Sequence, residues 1–364
     1  MVTTGTGEAP QHPRHEHPFI EISAGEYRAD ISAFGGGPRS LEYAGRPLLV
    51  DYPRGEFPPL SAATLLAPWP NRVADGVFVH DGVVHRMQIT EPGRSNAIHG
   101  FVADCAWDFV EAGEDHVTLA IEPGPQPGWN WPMRFTVRWS VDADAGLRAD
   151  VTAENLGASA CPFGFGFHPY LSAAGAGLAD CVLSVDVERN LPLEPVRNLP
   201  AGPDVPADAV VPGLSDGVLT SGLWLDHCFA SPVRSSASSL DDDADVQASD
   251  AHPARARLTG PDGEGVEMWA DENFGWFQIF TADPARREGF PRVGRALAVE
   301  PMTCPPDALR SGRDLIRIGA GESVELSMGI RAATLPRRKA PAVAKQDPPT
   351  FHQSHDHQRT RRMP

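Results

Sequence analysis

The chain has 364 residues, of which 35 are glycine and 36 are proline, while 41% are hydrophobic. Its formal net charge of −17 argues against a nucleic-acid partner, because phosphate backbones are bound by basic surfaces. Its 5 cysteines are widely spaced and form no CxxC pair, so neither a disulfide framework nor a zinc cluster is predicted.

Residues 1–17 are polar and contain no apolar stretch that could serve as a signal sequence, and no apolar run in the chain is long enough to span a bilayer. We therefore expect a cytoplasmic protein with no membrane partner. Residues 1–17 and 335–364 are poor in large apolar side chains, which predicts two disordered tails. His352, His355 and His357 in the second tail could chelate a metal weakly, but a structural or incidental origin is favoured, since no scaffold preorganises them.

High glycine and proline content with an ordinary apolar fraction indicates many turns around a real core, which is typical of an all-β protein. Residues 77–80 and 83–87 flank Asp81-Gly82, a two-residue sequence that favours a primed hairpin turn. Residues 135–141 and 147–151 alternate apolar and polar side chains, which predicts a second hairpin with one buried face. Further short strands are predicted at residues 19–22, 117–121, 182–187, 266–269, 277–280 and 324–330.

The regular return of short strands, without long amphipathic helices, predicts a large antiparallel β-sandwich that forms one domain over residues 18–334. Residues 231–256 interrupt the strand-like sequence. They contain Ser-Ser-Ala-Ser-Ser followed by Asp-Asp-Asp-Ala-Asp, which indicates a flexible acidic insertion within that domain.

Two segments carry candidate chemistry. Residues 163–171 read Phe-Gly-Phe-Gly-Phe-His-Pro-Tyr-Leu and contain His168, and residues 299–303 read Val-Glu-Pro-Met-Thr and contain Glu300. An imidazole and a carboxylate held together can act as acid and base on a small polar substrate, as the opening and reclosing of a sugar ring requires. The ordinary alternatives are a core histidine bonded to backbone and a strand-end carboxylate facing solvent.

Five motifs together resemble the aldose 1-epimerases, or galactose mutarotases, and especially their bacterial branch. In order they are Asn-Arg-Val-Ala-Asp-Gly at 71–76, Asn-Ala-Ile-His-Gly at 96–100, Gly-Phe-His-Pro-Tyr at 166–170, Leu-Asp-His-Cys-Phe at 225–229 and Val-Glu-Pro-Met-Thr at 299–303. The resemblance extends over residues 19–333. It implies an all-β super-sandwich with the substrate in an open cleft of one curved sheet. It also implies a monosaccharide substrate of galactose or glucose type, no metal or other cofactor, and a monomer or homodimer.

The same resemblance implies roles for individual residues. Glu300 is expected to take the proton of the C1 hydroxyl, and His168 is expected to protonate the ring oxygen. Gln278 is a further candidate because its strand could direct it inward, towards a sugar hydroxyl. The residues expected to bind the sugar are Arg72, His99, Asp226 and Gln278, and the aromatic candidates for stacking on it are Trp69, Trp129, Trp131 and Tyr170.

Three alternatives stay open at this stage. The chain could be a catalytically silent carbohydrate-binding or sensing protein, because a fold does not by itself imply activity. His99, His168 and Glu300 could instead form a metal triad in a cupin-like barrel, although they lack the close HxH pair common in such sites. An epimerase for a phosphorylated or sulfonated sugar would need extra cations, for which Arg54, Arg86, Arg94, Arg292 and Arg295 are available outside the motifs.

Overall fold

The computed structural model describes residues 18–232 and 254–334. Strands make up 49% of the structure and helices 6%, which confirms the predicted all-β class. Among the described residues, no helix has the length and apolar character needed to cross a membrane.

The strands are short and follow one another at turns. The first nine are β1 (Phe19–Ala24), β2 (Tyr27–Ser32), β3 (Pro38–Tyr43), β4 (Arg46–Pro47), β5 (Leu65–Leu66), β6 (Arg72–Ala74), β7 (Val77–His80), β8 (Val83–Arg86) and β9 (Asn96–Ile98). The next nine are β10 (Asp108–Ala112), β11 (His116–Ile121), β12 (Met133–Asp142), β13 (Gly146–Asn155), β14 (Cys161–Phe163), β15 (Gly166–Phe167), β16 (Tyr170–Leu171), β17 (Val182–Val185) and β18 (Arg189–Leu191).

The remaining strands are β19 (Val205–Pro206), β20 (Val218–Leu219), β21 (Asp226–Ala230), β22 (Ala254–Thr259), β23 (Glu264–Ala270), β24 (Trp276–Ala282), β25 (Ala296–Met302), β26 (Ile316–Ile318) and β27 (Ser323–Thr334). One short α-helix, α1 (Ala308–Ser311), lies between β25 and β26. Single 3-10 turns lie at Pro59–Ser61, Pro92–Arg94, Leu178–Asp180 and Ala207–Ala209.

Two large sheets dominate the molecule. One has nine strands in the order β10-β11-β12-β13-β27-β23-β22-β17-β20, and the other has the order β19-β18-β21-β24-β25-β15-β5, with β16 also paired to β25. A four-stranded sheet, β1-β2-β3-β4, and three strand pairs, β6-β9, β7-β8 and β14-β26, complete the fold. The pairings between these strands are antiparallel, as the sequence predicted.

The two large sheets pack against each other through their apolar faces. Residues 133–141 of β12 alternate between buried and partly exposed or exposed, so one face of its sheet points inward. Trp139 on this face meets Phe167 of the other sheet with ring centroids 5.6 Å apart, and Phe277 and Val299 belong to the same buried cluster. This sandwich of two sheets confirms the predicted architecture and supplies the rigid frame behind the cleft.

Most of the predicted strands are confirmed. In the first hairpin, Asp81 and Gly82 both have positive φ, 47° and 78°, which is the primed turn that the sequence favours. The second hairpin pairs β12 with β13 over ten residues each. The six further predicted strands coincide with β1, β11, β17, β23, β24 and β27, except that β17 ends at Val185.

The predicted acidic insertion was drawn too widely. Ser231 is buried, and Ala254 and Ala256 are buried residues of β22, so both margins of the predicted range 231–256 belong to the sandwich. The error has a physical reason: β22 begins Ala-Arg-Ala-Arg, whose small apolar side chains give a weak alternating signal. The rest of that insertion, both predicted tails and the three tail histidines lie outside the described residues.

Candidate functional site

Neighbouring strands of the second large sheet present a row of polar side chains on one face. Cys228 of β21 pairs with Gln278 of β24, which in turn pairs with Glu300 of β25. Because side chains alternate along a strand, Asp226 shares the face of Cys228. The intervening residues Phe277 and Val299 face the opposite way, into the main core. One face of β24 and β25 is therefore packed in the sandwich core, and the opposite face presents the polar row to the cleft.

His168 is held beside this row by a close chain crossing. The chain pairs with β25 first through β15 and then through β16, and His168 lies between these two short strands. A Cβ on Gly166 would lie only 2.8 Å from the Cβ of Pro70, so glycine permits the approach. His168 Nε2 lies 3.3 Å from Glu300 Oε1. The motifs at 166–170 and 299–303 thus meet in space.

Arg72 and His99 lie near His168 and Glu300 but come from a separate strand pair, β6 and β9. They stand at the ends of β6 and β9, which pair Arg72 with Ile98. Asn71 and His99 both have left-handed backbones, with φ of 54° and 64°, and the His99 N–H donates to the Asn71 carbonyl over 2.9 Å. Such conformations are uncommon outside glycine, and they cluster at functional sites. The His99 ring lies edge-on to His168, with centroids 5.4 Å apart.

These side chains line one cleft of about 250 Å³. All six residues that the sequence predicts for the site line this cleft, although they are spread from residue 72 to residue 300. They are Arg72, His99, His168, Asp226, Gln278 and Glu300. Further lining residues are Asn71, Glu91, Tyr170, Phe280, Arg287 and Glu288. The cleft is therefore lined mostly by polar side chains, together with the aromatic rings of Tyr170 and Phe280.

Burial controls the protonation of the His168–Glu300 pair. Both residues are at least 95% buried, with exposed fractions of 5% and 2%. Burial lowers the pKa of His168 to about 4 and raises the pKa of Glu300 well above its ordinary value of 4.5. The negative charge of Asp226 raises the pKa of Glu300 further, and the positive charge of Arg72 opposes this. Burial thus favours the uncharged form of each residue.

Burial also disfavours the charged forms of His99 and Tyr170. It lowers the pKa of His99 well below the usual histidine value, and the nearby charges of His168 and Arg72 act in the same direction. It raises the pKa of Tyr170 well above 10, and the charges of Glu300 and Glu288 add to this. His99 and Tyr170 are therefore available as uncharged hydrogen-bonding partners in the cleft.

Arg72 is fixed by a carboxylate that no motif contains. Glu91 accepts two hydrogen bonds from its guanidinium, from Nε and from Nη2, each 2.9 Å long. Asn96 donates a third hydrogen bond to Glu91, and Arg94 lies 3.7 Å away from it. Burial would raise the pKa of Glu91, but the hydrogen bonds and charge of Arg72 hold it below the usual value. The bidentate pair orients Arg72 at the cleft wall.

Asp226 is fixed in a similar way on the other side. Gln278 Nε2 donates to Oδ1 over 2.8 Å, and Arg287 Nη1 donates to Oδ2 over 3.0 Å. Each carboxylate oxygen keeps capacity to accept another hydrogen bond. Gln278, which is predicted to bind the sugar, donates one amide N–H to Asp226, and its role towards a ligand stays a prediction.

Four buried polar atoms around the cleft have no hydrogen-bond partner within the described part of the chain. They are His99 Nδ1, His168 Nδ1, Gln278 Oε1 and Glu300 Oε2. Buried polar atoms are nearly always hydrogen-bonded, and exceptions call for an explanation such as a catalytic role or a bound molecule. These four atoms mix potential donors with acceptors, which suits a ligand rich in hydroxyl groups.

Sequence reasoning missed Glu91, Arg287 and Phe280. The two charged residues occupy loops and resemble solvated surface residues, and only their ion pairs reveal a role. Of the aromatic candidates, Tyr170 lines the cleft, whereas Trp129 and Trp131 line a separate cavity. Among the described residues, no group of three or more His, Cys, Asp or Glu side chains is placed to hold a metal ion, so the geometry does not support a metal triad.

Comparisons with known proteins agree with this geometry. The aldose 1-epimerase family model matches residues 18–331. The uncharacterized protein YihR of Escherichia coli K12 is 29% identical over 311 residues, covering 85% of this chain and 92% of YihR. The uncharacterized protein YphB of the same organism is 24% identical over 320 residues, covering 86% of this chain and 98% of YphB.

Solved structures share the fold. A structure described as a putative aldose 1-epimerase from Escherichia coli K12 superposes with a TM-score of 0.70 at 23% identity, covering 87% of this chain and 99% of that one. A galactose mutarotase-like protein from Clostridium acetobutylicum gives 0.71 at 18% identity, covering 89% and 98%. At these identities the likeness establishes the fold alone.

Proposed function

We propose that this chain, which belongs to the aldose 1-epimerase family, interconverts the α and β anomers of an unmodified hexose of galactose or glucose type. The observation that carries the proposal is the His168–Glu300 contact of 3.3 Å inside a cleft whose buried polar atoms lack partners in the described chain. An acid and a base so close suit a reaction at two oxygens bonded to the same carbon, the C1 hydroxyl and the ring oxygen.

The proposed reaction opens and recloses the ring. Glu300 takes the proton of the C1 hydroxyl, the bond between C1 and the ring oxygen breaks, C1 becomes an aldehyde carbon, and His168 delivers a proton to the ring oxygen. The C1 group then rotates about the C1–C2 bond. The reverse transfers reclose the ring on the other face of the aldehyde. No atom is gained or lost, so the pair itself is sufficient for the chemistry.

A single exchangeable proton shared by His168 and Glu300 is enough for these two proton transfers. Above its pKa of about 4, His168 is neutral, and burial favours the protonated form of Glu300 because it raises the pKa of that carboxyl. That proton can pass across the 3.3 Å contact between His168 Nε2 and Glu300 Oε1 to give the imidazolium and carboxylate forms. The acid and base exchange roles when the ring recloses. The reaction therefore depends on how many protons the pair holds more than on which of the two residues carries the proton at rest.

The size and charge of the cleft support a neutral monosaccharide. At about 250 Å³ the cleft lies below the range of roughly 300–1,000 Å³ that is typical of sites for larger ligands. Both guanidinium groups that line the cleft already contact a carboxylate: Arg72 contacts Glu91, and Arg287 contacts Asp226. A phosphate or sulfonate would have to compete with these carboxylates.

The other cations considered from the sequence do not join the described lining of the cleft. Arg54 pairs with Asp30 at 2.8 Å, Arg292 with Glu56 at 2.6 Å, and Arg295 with Asp283 at 3.0 Å. None of these three arginines lines the cleft, so the described lining contains no cluster of unpaired cations. This arrangement favours an unmodified sugar over the phosphorylated or sulfonated alternative.

Polarimetry on freshly dissolved α-glucose and α-galactose tests the proposal. We expect the protein to accelerate the approach to anomeric equilibrium for at least one of them, and to act less on the same hexose carrying a C6 phosphate. Glu300→Gln is the matched control, because the amide keeps the shape of the side chain and loses the proton acceptor. Sugar binding without acceleration would instead identify a silent carbohydrate-binding protein.

A further inference from the structure

Arg287 occupies a defined position between the cleft and the surface. It lies in the turn that follows β24, where its backbone N–H donates to the Asp283 carbonyl over 2.9 Å. Its guanidinium donates to Asp226 over 3.0 Å and to Glu288 over 2.9 Å, and it lies 5.0 Å from the centre of the Phe280 ring. Two carboxylates and one aromatic face thus fix the group.

We propose that Arg287 is a positioning residue that holds the Asp226 carboxylate towards the substrate and cancels its charge beside the His168–Glu300 pair. This inference rests on the proposed function. It adds a residue that lies outside all five motifs and does not itself take part in proton transfer.

The buried Asp226 carboxylate needs a charged partner. Its side chain is only 6% exposed, and a buried carboxylate without charged or hydrogen-bonding partners is strongly unfavourable. Gln278 supplies a neutral donor to one oxygen, and Arg287 supplies the positive charge to the other. Removing Arg287 would leave the carboxylate held by Gln278 alone, with one oxygen free to turn out of place. That movement would weaken a well-placed acceptor for sugar hydroxyls.

Arg287 also affects the electrostatics of the acid–base pair. The negative charge of Asp226 raises the pKa of both His168 and Glu300. A cation bonded to Asp226 offsets that effect, because the two charges then act on the pair nearly as a dipole. The other titratable or charged groups around the pair are Arg72, His99, Tyr170, Cys228 and Glu288. Loss of Arg287 alone should therefore move both pKa values upward.

An ordinary rim salt bridge would behave differently. The Arg287 side chain is 29% exposed, and exposed ion pairs often contribute little to stability. A purely structural role would change stability and leave the pH dependence of the cleft unaltered. The titration of His168 therefore separates the two interpretations.

The experiment compares Arg287→Met, Arg287→Lys and Arg287→Met combined with Asp226→Asn. The pKa of His168 is measured by NMR of imidazole-labelled protein, and the rate by polarimetry across pH. For Arg287→Met we expect a higher His168 pKa, a pH–rate profile displaced to higher pH, and a KM raised roughly tenfold or more. Arg287→Lys should restore the profile through its charge while its KM stays raised. In the Asp226→Asn background the Arg287 substitution should no longer move the pKa.

Arg286→Met is the matched control, because Arg286 is the exposed neighbour in the same turn. It should leave both the His168 titration and KM as in the wild type. An Arg287→Met protein with a wild-type His168 pKa and KM would overturn the inference. If Arg287→Met does not fold, Arg287→Lys still decides, since a wild-type KM in that variant contradicts the positioning role. The NMR titration needs no activity, so a wild type without mutarotation would count against the proposed function alone.

Discussion

Replacing His168 with asparagine should make the fold less sensitive to acid. Burial lowers the pKa of His168 from 6.5 to about 4, so the unfolded chain takes up this proton at a higher pH than the folded one. The native state therefore loses stability as pH falls from about 6.5 towards 4. Above about pH 6.5, His168 does not lower the free energy of unfolding in this way. Asparagine cannot take up the proton, so the variant lacks this loss.

The expected change in the free energy of unfolding follows from the pKa shift of His168. Each pKa unit corresponds to about 1.4 kcal/mol, so a change from 6.5 to about 4 gives about 3 kcal/mol between neutral pH and pH 4. The His168 side chain is 7% exposed, so screening by solvent reduces this value little. A loss of that size is a large fraction of the 5–15 kcal/mol that is roughly typical of folded proteins.

Urea unfolding followed by tryptophan fluorescence at pH 7 and pH 4 measures the effect. The difference between variant and wild type is taken at each pH, so any packing change common to both conditions cancels. The variant should gain about 3 kcal/mol relative to the wild type on going from pH 7 to pH 4, with an unchanged dependence on urea concentration. A relative stability that does not change with pH would refute the reasoning.

Glu300→Gln supplies a control of opposite sign. Burial raises the pKa of Glu300, so the folded state keeps its proton after the unfolded chain has lost it. The wild type therefore loses stability from this group as pH rises above 4.5 towards the folded pKa, and the glutamine variant should gain relative stability in that direction. The same sign of pH dependence in both variants would show that burial does not control the pair.

Three further predictions concern the reaction and the remote segments. The rate should have an acid limb near pH 4, where His168 becomes protonated and the pair lacks a base; polarimetry across pH checks this, and a limb near 6.5 would contradict it. The double variant His168→Asn with Glu300→Gln should be little slower than either single variant, whereas full additivity of the measured rate losses would assign them to separate steps. Deleting residues 335–364 and replacing 233–253 with a short Gly-Ser link should leave the rate and the thermal midpoint nearly unchanged, because the cleft residues lie elsewhere. A KM that rises for one sugar only would instead give 233–253 a role in selection.

Local sequence determined much of the fold. Alternating side chains define β12 and β13, and Asp81-Gly82 defines the turn of the first hairpin, because strand periodicity and turn chemistry depend on adjacent residues. The motifs also identified five of the six side chains that converge on the cleft, since each motif is short and continuous, and the position of Gln278 on its strand indicated the sixth. The same reasoning misjudged the start of β22, where alanine and arginine alternate too weakly to mark a buried strand.

Only the tertiary structure decided which charges meet. Arg72 and Glu91 are 19 residues apart, and Asp226 and Arg287 are 61 apart, so nothing local in the sequence predicts either pair. In the sequence, Glu91 and Arg287 are indistinguishable from solvated loop residues. Likewise Phe280, rather than a tryptophan, lines the cleft because the register of β24 brings it beside Gln278 on the same face. Ion pairing depends on distances of a few ångströms, and packing between distant strands sets those distances.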